Sequence, residues 1–203
     1  MFHVKQSDLR RFEQVTGFAL PEEATAALDA FESLLRRYAV PAGFVAAGDA
    51  PVLAERHLLD SLRAAPILPP GTAADLGSGA GLPGIVVAIA RPDLIVTMIE
   101  PQRRRLAFLE LAVDELRLPN AVPVGARAED VRLSFDAALA RAFADAGASW
   151  RAAARLLAPA GRLVYFAGES FAAADLPAHV RAELVPPSPL LASSGPLVIM
   201  TRQ

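Results

Sequence analysis

The sequence predicts an α/β fold, a mostly parallel sheet wound with helices, with an antiparallel closing strand and a helical cap in front. Three observations predict it. From Thr72 onward, short apolar runs alternate with helical stretches. A glycine-rich turn joins the first of these runs to a helix, and residues 1–70 carry helical spacing only. Strands alternating with helices require crossover connections, which set neighbouring strands parallel.

In the front segment, Ser7 is placed to cap a helix that runs to Val15 and is stopped by Gly17. Pro21 suits the first turn of the next helix, with Glu22 and Glu23 at its positive end. Ala24, Leu28, Phe31, Leu34, Leu35 and Tyr38 then follow a helical stripe until Pro41 and Gly43 stop it. Residues 52–62 resume helical spacing through Leu58, Leu59 and Leu62, and Pro66, Pro69, Pro70 and Gly71 break the chain.

The alternating part begins with a strand at 73–76 and a helix from Pro83. A β-branched strand at 94–99, a helix at 103–116 and short strands at 121–124 and 137–140 follow. The next helix spans 148–157, terminated by Pro159 and Gly161, and 163–166 is the fifth strand. Runs at 182–185 and 197–201 flank a Pro/Ser/Gly connection and read as a closing antiparallel pair. No repeat or long linker intervenes, so one domain over 1–203 is expected, with 1–70 as cap and 71–203 as α/β core.

Composition narrows the function. Twenty basic and 22 acidic residues give a net charge of −2, which argues against a uniformly basic nucleic-acid surface and leaves room for a local one. The basic clusters are Arg10-Arg11, Arg36-Arg37 and Arg103-Arg104-Arg105. The absence of cysteine excludes disulfides, thiolate zinc sites, iron–sulfur clusters and a cysteine nucleophile. His3, His57 and His179 have no metal-binding spacing, and no metal is expected. The first residues lack a signal-peptide core, and the apolar run 82–90 is cut by Arg91-Pro92-Asp93, short of the ~20 residues of a membrane span. A cytoplasmic protein is expected, with no membrane partner.

The sharpest signal is Asp75-Leu76-Gly77-Ser78-Gly79-Ala80-Gly81-Leu82-Pro83-Gly84, where a strand hands over to a helix. Ligands of open α/β sheets bind at this carboxyl edge, glycines let them lie on bare backbone, and a helix N-terminus attracts anions. The spacing is G-x-G-x-G rather than the G-x-G-x-x-G of dinucleotide sites, and Glu100 ends the second strand, where a carboxylate accepts from both hydroxyls of a ribose. Plainer readings are a packing turn and a solvated strand-end charge. Together, turn and acid resemble the S-adenosylmethionine (SAM) site of a class I methyltransferase, a Rossmann-like sheet, more than an NAD site.

Glu55-Arg56-His57-Leu58-Leu59-Asp60-Ser61-Leu62, followed by the glycine turn, resembles the RsmG family, also called glucose-inhibited division protein B. Arg105-Leu106-Ala107-Phe108-Leu109, Arg127-Ala128-Glu129-Asp130 and Ala140-Arg141-Ala142 extend the match over nearly the whole chain. The resemblance implies a SAM-dependent enzyme that methylates N7 of guanine 527 of 16S rRNA, with that RNA or the 30S subunit as partner. It implies that Gly77 and Leu82 contact SAM, Glu100 holds its ribose, and Ala128 and Glu129 lie beside the adenine. Arg141, after the fourth strand, is the expected catalytic residue and also faces the cofactor. His57 and Asp60 belong to the family signature and read equally as structural partners or as substrate ligands. Polar family positions fall on Ala39, Gly43, Val45 and Ala167, whereas a basic one is kept as Arg104.

The chemistry agrees with what the chain lacks. N7 of guanine offers a free lone pair, so no proton must leave first and no nucleophilic side chain is needed. Carbon-5 methylation normally uses a cysteine, and exocyclic-amine methylation commonly uses a proline motif where this chain has Ala140-Arg141-Ala142-Phe143. Another RNA or small-molecule acceptor, or SAM binding without catalysis, are the alternatives. A monomer is expected.

Overall fold

The computed structural model describes residues 6–191 and 194–203. Its strands are β1 (Gly71–Leu76), β2 (Leu94–Ile99), β3 (Ala121–Val124), β4 (Phe135–Arg141), β5 (Leu157–Phe166), β6 (Val180–Val185) and β7 (Leu197–Arg202). They form one sheet in the order β3-β2-β1-β4-β5-β7-β6. The pairs β1–β2, β1–β4, β2–β3 and β4–β5 are parallel, and β7 runs antiparallel to both β5 and β6. The central strands read as continuous apolar runs because both their faces are covered. Ala73, Ala74 and Leu76 of β1 and Ala137, Ala138, Leu139 and Ala140 of β4 are all fully buried. Strand order reverses between β1 and β4, which opens the crevice at their carboxyl ends.

The helices are α1 (Gln6–Thr16), α2 (Ala24–Leu34), α3 (Asp60–Leu62), α4 (Gly84–Ala90), α5 (Arg103–Leu116) and α6 (Ala146–Ala154). Leu28, Phe31, Leu53, Leu58 and Leu62 from the front segment join Ile85, Val87, Leu94 and Met98 in one continuous core. A second core on the opposite face includes Leu76, Ile99, Ala153, Leu163 and Val198.

Several boundaries differ from the sequence-based expectation. Ser7 sits inside α1 with its hydroxyl facing Asp8, so it does not cap the helix. Pro21, Glu22 and Glu23 form the turn ahead of α2, whose first N–H, on Ala24, donates to Pro21 O at 3.0 Å. Residues 52–62 are not one helix: a 3-10 turn (Ala47–Val52) leads into a π-helical turn (Leu53–Leu59) and then α3. Pro51 lies inside the 3-10 turn, just ahead of the stretch where helical spacing was expected.

The segment 155–161 departs furthest. α6 stops at Ala154, and β5 already begins at Leu157 and runs through Pro159 and Gly161. The pairing of β4 with β5 jumps from Phe135↔Leu157 to Ala137↔Arg162, a bulge that takes up the proline and glycine. The Arg202 guanidinium closes it by donating to the carbonyls of Ala154, Leu157 and Ala158.

Arg91 fastens the front segment to the sheet. Its Nη1 donates to Ala65 O and Leu68 O at 2.8 Å each, while Nε and Nη2 bind Asp93. Arg91→Ala strips both carbonyls of their guanidinium donor and is expected to lower unfolding free energy by about 2–4 kcal/mol, read from urea denaturation. A loss within experimental error would show that other groups satisfy those carbonyls.

Candidate active site at the carboxyl edge

The glycine turn leaves β1 and folds over the end of β2. Gly77, Gly79 and Gly81 have φ of +64°, +57° and +79°, left-handed values that explain the alternate spacing of glycine. The N–H groups of Gly77 and Ser78 both donate to Ile99 O, at 2.9 and 3.2 Å. Glu100, only 2% exposed, accepts from Gly79 N–H through Oε2 and from Gln102 N–H through Oε1, each at 2.9 Å. The carboxylate thus locks the turn against the start of α5 and retains acceptor capacity, since a carboxylate offers about four lone-pair positions.

Two cavities open along this edge. The first, about 270 Å³, includes Gly77, Leu82, His57, Arg105 and Arg141 in its wall. The second, about 480 Å³, includes Gly77, Gln102, Ala128, Glu129 and Phe143. Gly77 belongs to both, and a Cβ built on it would lie 2.7 Å from the Phe143 ring. The structure therefore brings together all six sequence-predicted residues. Gly77, Leu82 and Arg141 line the first cavity, Gly77, Ala128 and Glu129 the second, and Glu100 holds the turn that separates them.

Arg141, the last residue of β4, is held by the front segment. Its Nη2 donates to Arg56 O at 3.0 Å and to His57 Nδ1 at 2.9 Å, and its Nε lies 3.3 Å from Asp60 Oδ2. A guanidinium only donates, so His57 Nδ1 is unprotonated, and Nε2–H donates to Asp49 Oδ2 at 3.0 Å. Burial, and then the charge of Arg141, lower the His57 pKa, which agrees with a neutral ring. Asp49 also pairs with Arg56, and Asp60 with Arg63, which reaches on to the carbonyls of Pro186 and Gly195. Burial lowers the Arg141 pKa, while Asp60 and Asp75 raise it.

His57 and Asp60 are thus partners of Arg141, as the structural one of the two readings expects, and His57 also lines the first cavity. Asp49 and Phe143 were missed. Asp49 lies in the 3-10 turn, where the sequence shows no periodicity, and its one sequence cue is its place eight residues before His57. Asp75, 1% exposed, accepts from Gly84 N–H through Oδ2 at 3.0 Å, and its Oδ1 has no partner. Burial pushes its pKa up to about 6, against the opposing pull of its hydrogen bonds and of Arg141.

The family model for rRNA small subunit methyltransferase G matches residues 24–183. The chain belongs to this family. Ribosomal RNA small subunit methyltransferase G of Acidiphilium cryptum is 43% identical over 169 residues, covering 78% of this chain and 77% of the relative. The proteins of the same name from Methylobacillus flagellatus (36%, covering 84% and 86%) and Salinispora arenicola (42%, covering 75% and 71%) are also similar to this chain. Among solved structures, a mutant of MtNAS in complex with S-adenosylmethionine has a TM-score of 0.61 at 12% identity, covering 98% of this chain and 76% of that one. A TehB-like SAM-dependent methyltransferase from Corynebacterium glutamicum has a TM-score of 0.57 at 15% identity, covering 86% and 98%. These two likenesses concern the fold.

This member of the methyltransferase G family is a SAM-dependent enzyme, and the residues present fit that group. A Cβ on Gly79 would meet nothing nearer than 3.7 Å, so the turn leaves open backbone for a ligand. Glu100 retains acceptors for hydroxyls, Asp75 Oδ1 is a buried acceptor without a partner, and Arg105 Nε is a buried donor without one. A hydroxyl and a carboxylate each find a complement.

The raised pKa of Asp75 has a definite sign. Its folded value lies above the unfolded one, so its contribution to stability is complete below about pH 4 and is lost as pH rises through about 6. Asp75→Asn keeps an acceptor for Gly84 N–H and removes the buried charge. The methyltransferase carrying it is expected to gain stability relative to wild type above pH 7, by up to about 3 kcal/mol, with the gain vanishing near pH 4. Urea midpoints across pH 4–8 measure this, and a pH-independent difference would contradict it.

Proposed function

We propose that this enzyme transfers the methyl group of SAM to N7 of guanine 527 of 16S rRNA in the small ribosomal subunit. The observation that carries the reading is the ionisable content of the first cavity. Among the described residues its wall contains His57, Arg105 and Arg141, and no carboxylate, tyrosine or cysteine. The two nitrogens of His57 are already engaged by Asp49 and Arg141, so the wall offers no free base. An acceptor that must lose a proton before attack is poorly served there, whereas N7 needs only positioning. The names of the relatives supply the small-subunit RNA.

When bound, SAM supplies an electrophilic methyl group on sulfur. In this proposal Gly77 and Leu82 hold its methionine end and Glu100 accepts from the ribose hydroxyls. Ala128 and Glu129 flank the adenine in the second cavity. Arg141 orients the guanine, its guanidinium fixed by Asp60, His57 and Arg56 O. Residues 1–203 work as one methyltransferase domain, the cap 1–70 supplying the partners of Arg141 and the core 71–203 the cofactor site. No helix among the described residues is long and apolar enough to cross a membrane.

Labelled SAM incubated with 30S particles lacking this modification tests the proposal, the product being mapped by chemical cleavage at N7-methylguanine. Label at guanine 527 is expected; label elsewhere would replace the acceptor. Gly77→Val places a branched side chain at φ +64° and against Phe143, and is expected to weaken SAM binding more than about 100-fold by calorimetry. Unchanged affinity would remove the turn from the site. Arg141→Ala leaves Asp60 paired with Arg63 and His57 with Asp49, so it should lower kcat about 100-fold, far more than it lowers stability. Equal losses of activity and stability would make Arg141 a structural residue.

A further inference from the structure

The turn after α2 and the first half of α5 form a second surface beside the first cavity. Phe44 lines that cavity and also a shallow cleft of about 370 Å³ whose wall includes Tyr38, Ala42, Arg104, Ala107 and Phe108. The Phe44 ring packs edge-on against Phe108, with centroids 6.1 Å apart and planes at 62°, which fixes its orientation. The guanidinium carbons of Arg104 and Arg105 lie 5.9 and 5.8 Å from the Phe44 ring centre, and that of Arg37 lies 5.1 Å from the Tyr38 ring centre. Tyr38 is 37% exposed. The ion pairs of the described residues do not involve Arg104 or Arg105.

Two aromatic rings with guanidinium groups on their faces, and no carboxylate in the cleft wall, have a specific complement. Unpaired bases stack on such rings, and their phosphates pair with the arginines. A duplex would not serve, because its bases are already stacked on one another.

We propose that this cleft binds an unpaired nucleotide next to the guanine that enters the first cavity. Tyr38 and Phe44 take its base, and Arg37 and Arg104 its phosphates. The inference rests on the RNA reading of the active site. Phe44 belongs to both walls, so the two nucleotides are immediate neighbours along the strand.

Tyr38→Ala and Phe44→Leu test it, the second keeping an apolar contact for Phe108 while removing the flat face. With 30S particles, both variants are expected to raise KM about tenfold, and Tyr38→Ala, which lies outside the first cavity, should leave kcat and SAM affinity unchanged. Unaltered KM in both would overturn the proposal. An increase with intact particles but none with protein-free 16S rRNA would also overturn it, in favour of a ribosomal-protein contact. A separate titration uses single-stranded oligoribonucleotides with 2-aminopurine on one or the other side of a guanine. Wild type should quench the fluorescence of one of them, and Tyr38→Ala should not. Quenching without methyl transfer at guanine 527 would keep the stacking site and reject the proposed acceptor. Absence of quenching by wild type would reject the stacking site itself.

Discussion

The guanidinium of Arg141 is where the front segment and the sheet are joined by charge. β4 delivers it to the carboxyl edge, where burial makes an unpaired cation costly. Asp60, His57 Nδ1 and Arg56 O, all from the segment before the sheet, provide its partners. His57 can accept there because its proton sits on the other nitrogen, which donates to Asp49. The π-helical turn that carries Arg56 and His57 is therefore part of the site's electrostatics as much as of its packing. Through Arg63 the same chain of groups reaches the connection between β6 and β7.

The glycine turn is held with a different economy. One carboxylate, Glu100, fixes both the turn and the approach to α5, and main-chain bonds to Ile99 O complete the frame. No side chain from the front segment takes part in those bonds. The glycine-turn side of the edge is thus built largely from backbone and one acid, whereas the Arg141 side depends on long side chains meeting from distant parts of the sequence. Of Ala39, Gly43 and Val45, which stand at polar family positions, Val45 lines the first cavity. Of these three, Ala39 and Val45 are buried apolar residues.

Legibility followed the same division. β2, β3 and α5 have the boundaries the sequence predicts, because turn residues and apolar runs mark them locally. The glycine turn and Glu100 were readable from spacing for the same reason. The start of β5 was not, since Pro159 and Gly161 look like a helix terminator until the bulge opposite Phe135 and the guanidinium of Arg202 are known. Asp49 and Phe143 act through contacts remote in sequence, Asp49 on a ring eight residues on and Phe143 on a glycine in another loop. Nothing in their neighbourhoods distinguishes them. His57 and Asp60 carried a signature, but their shared contact with the Arg141 guanidinium, 84 and 81 positions on, was not legible in it.

The first apolar core runs without interruption from Phe12 and Phe31 to Leu94 and Met98. A front segment seated on that core cannot swing away as a hinged lid without exposing the centre of the protein to water, and a free energy approaching that of unfolding would oppose it. Breathing that admits a substrate is thereby confined to exposed loops such as 46–48 and the one beyond β4. In amide hydrogen exchange the buried parts of cap and sheet would open together, as one cooperative unit, while those loops exchange ahead of them.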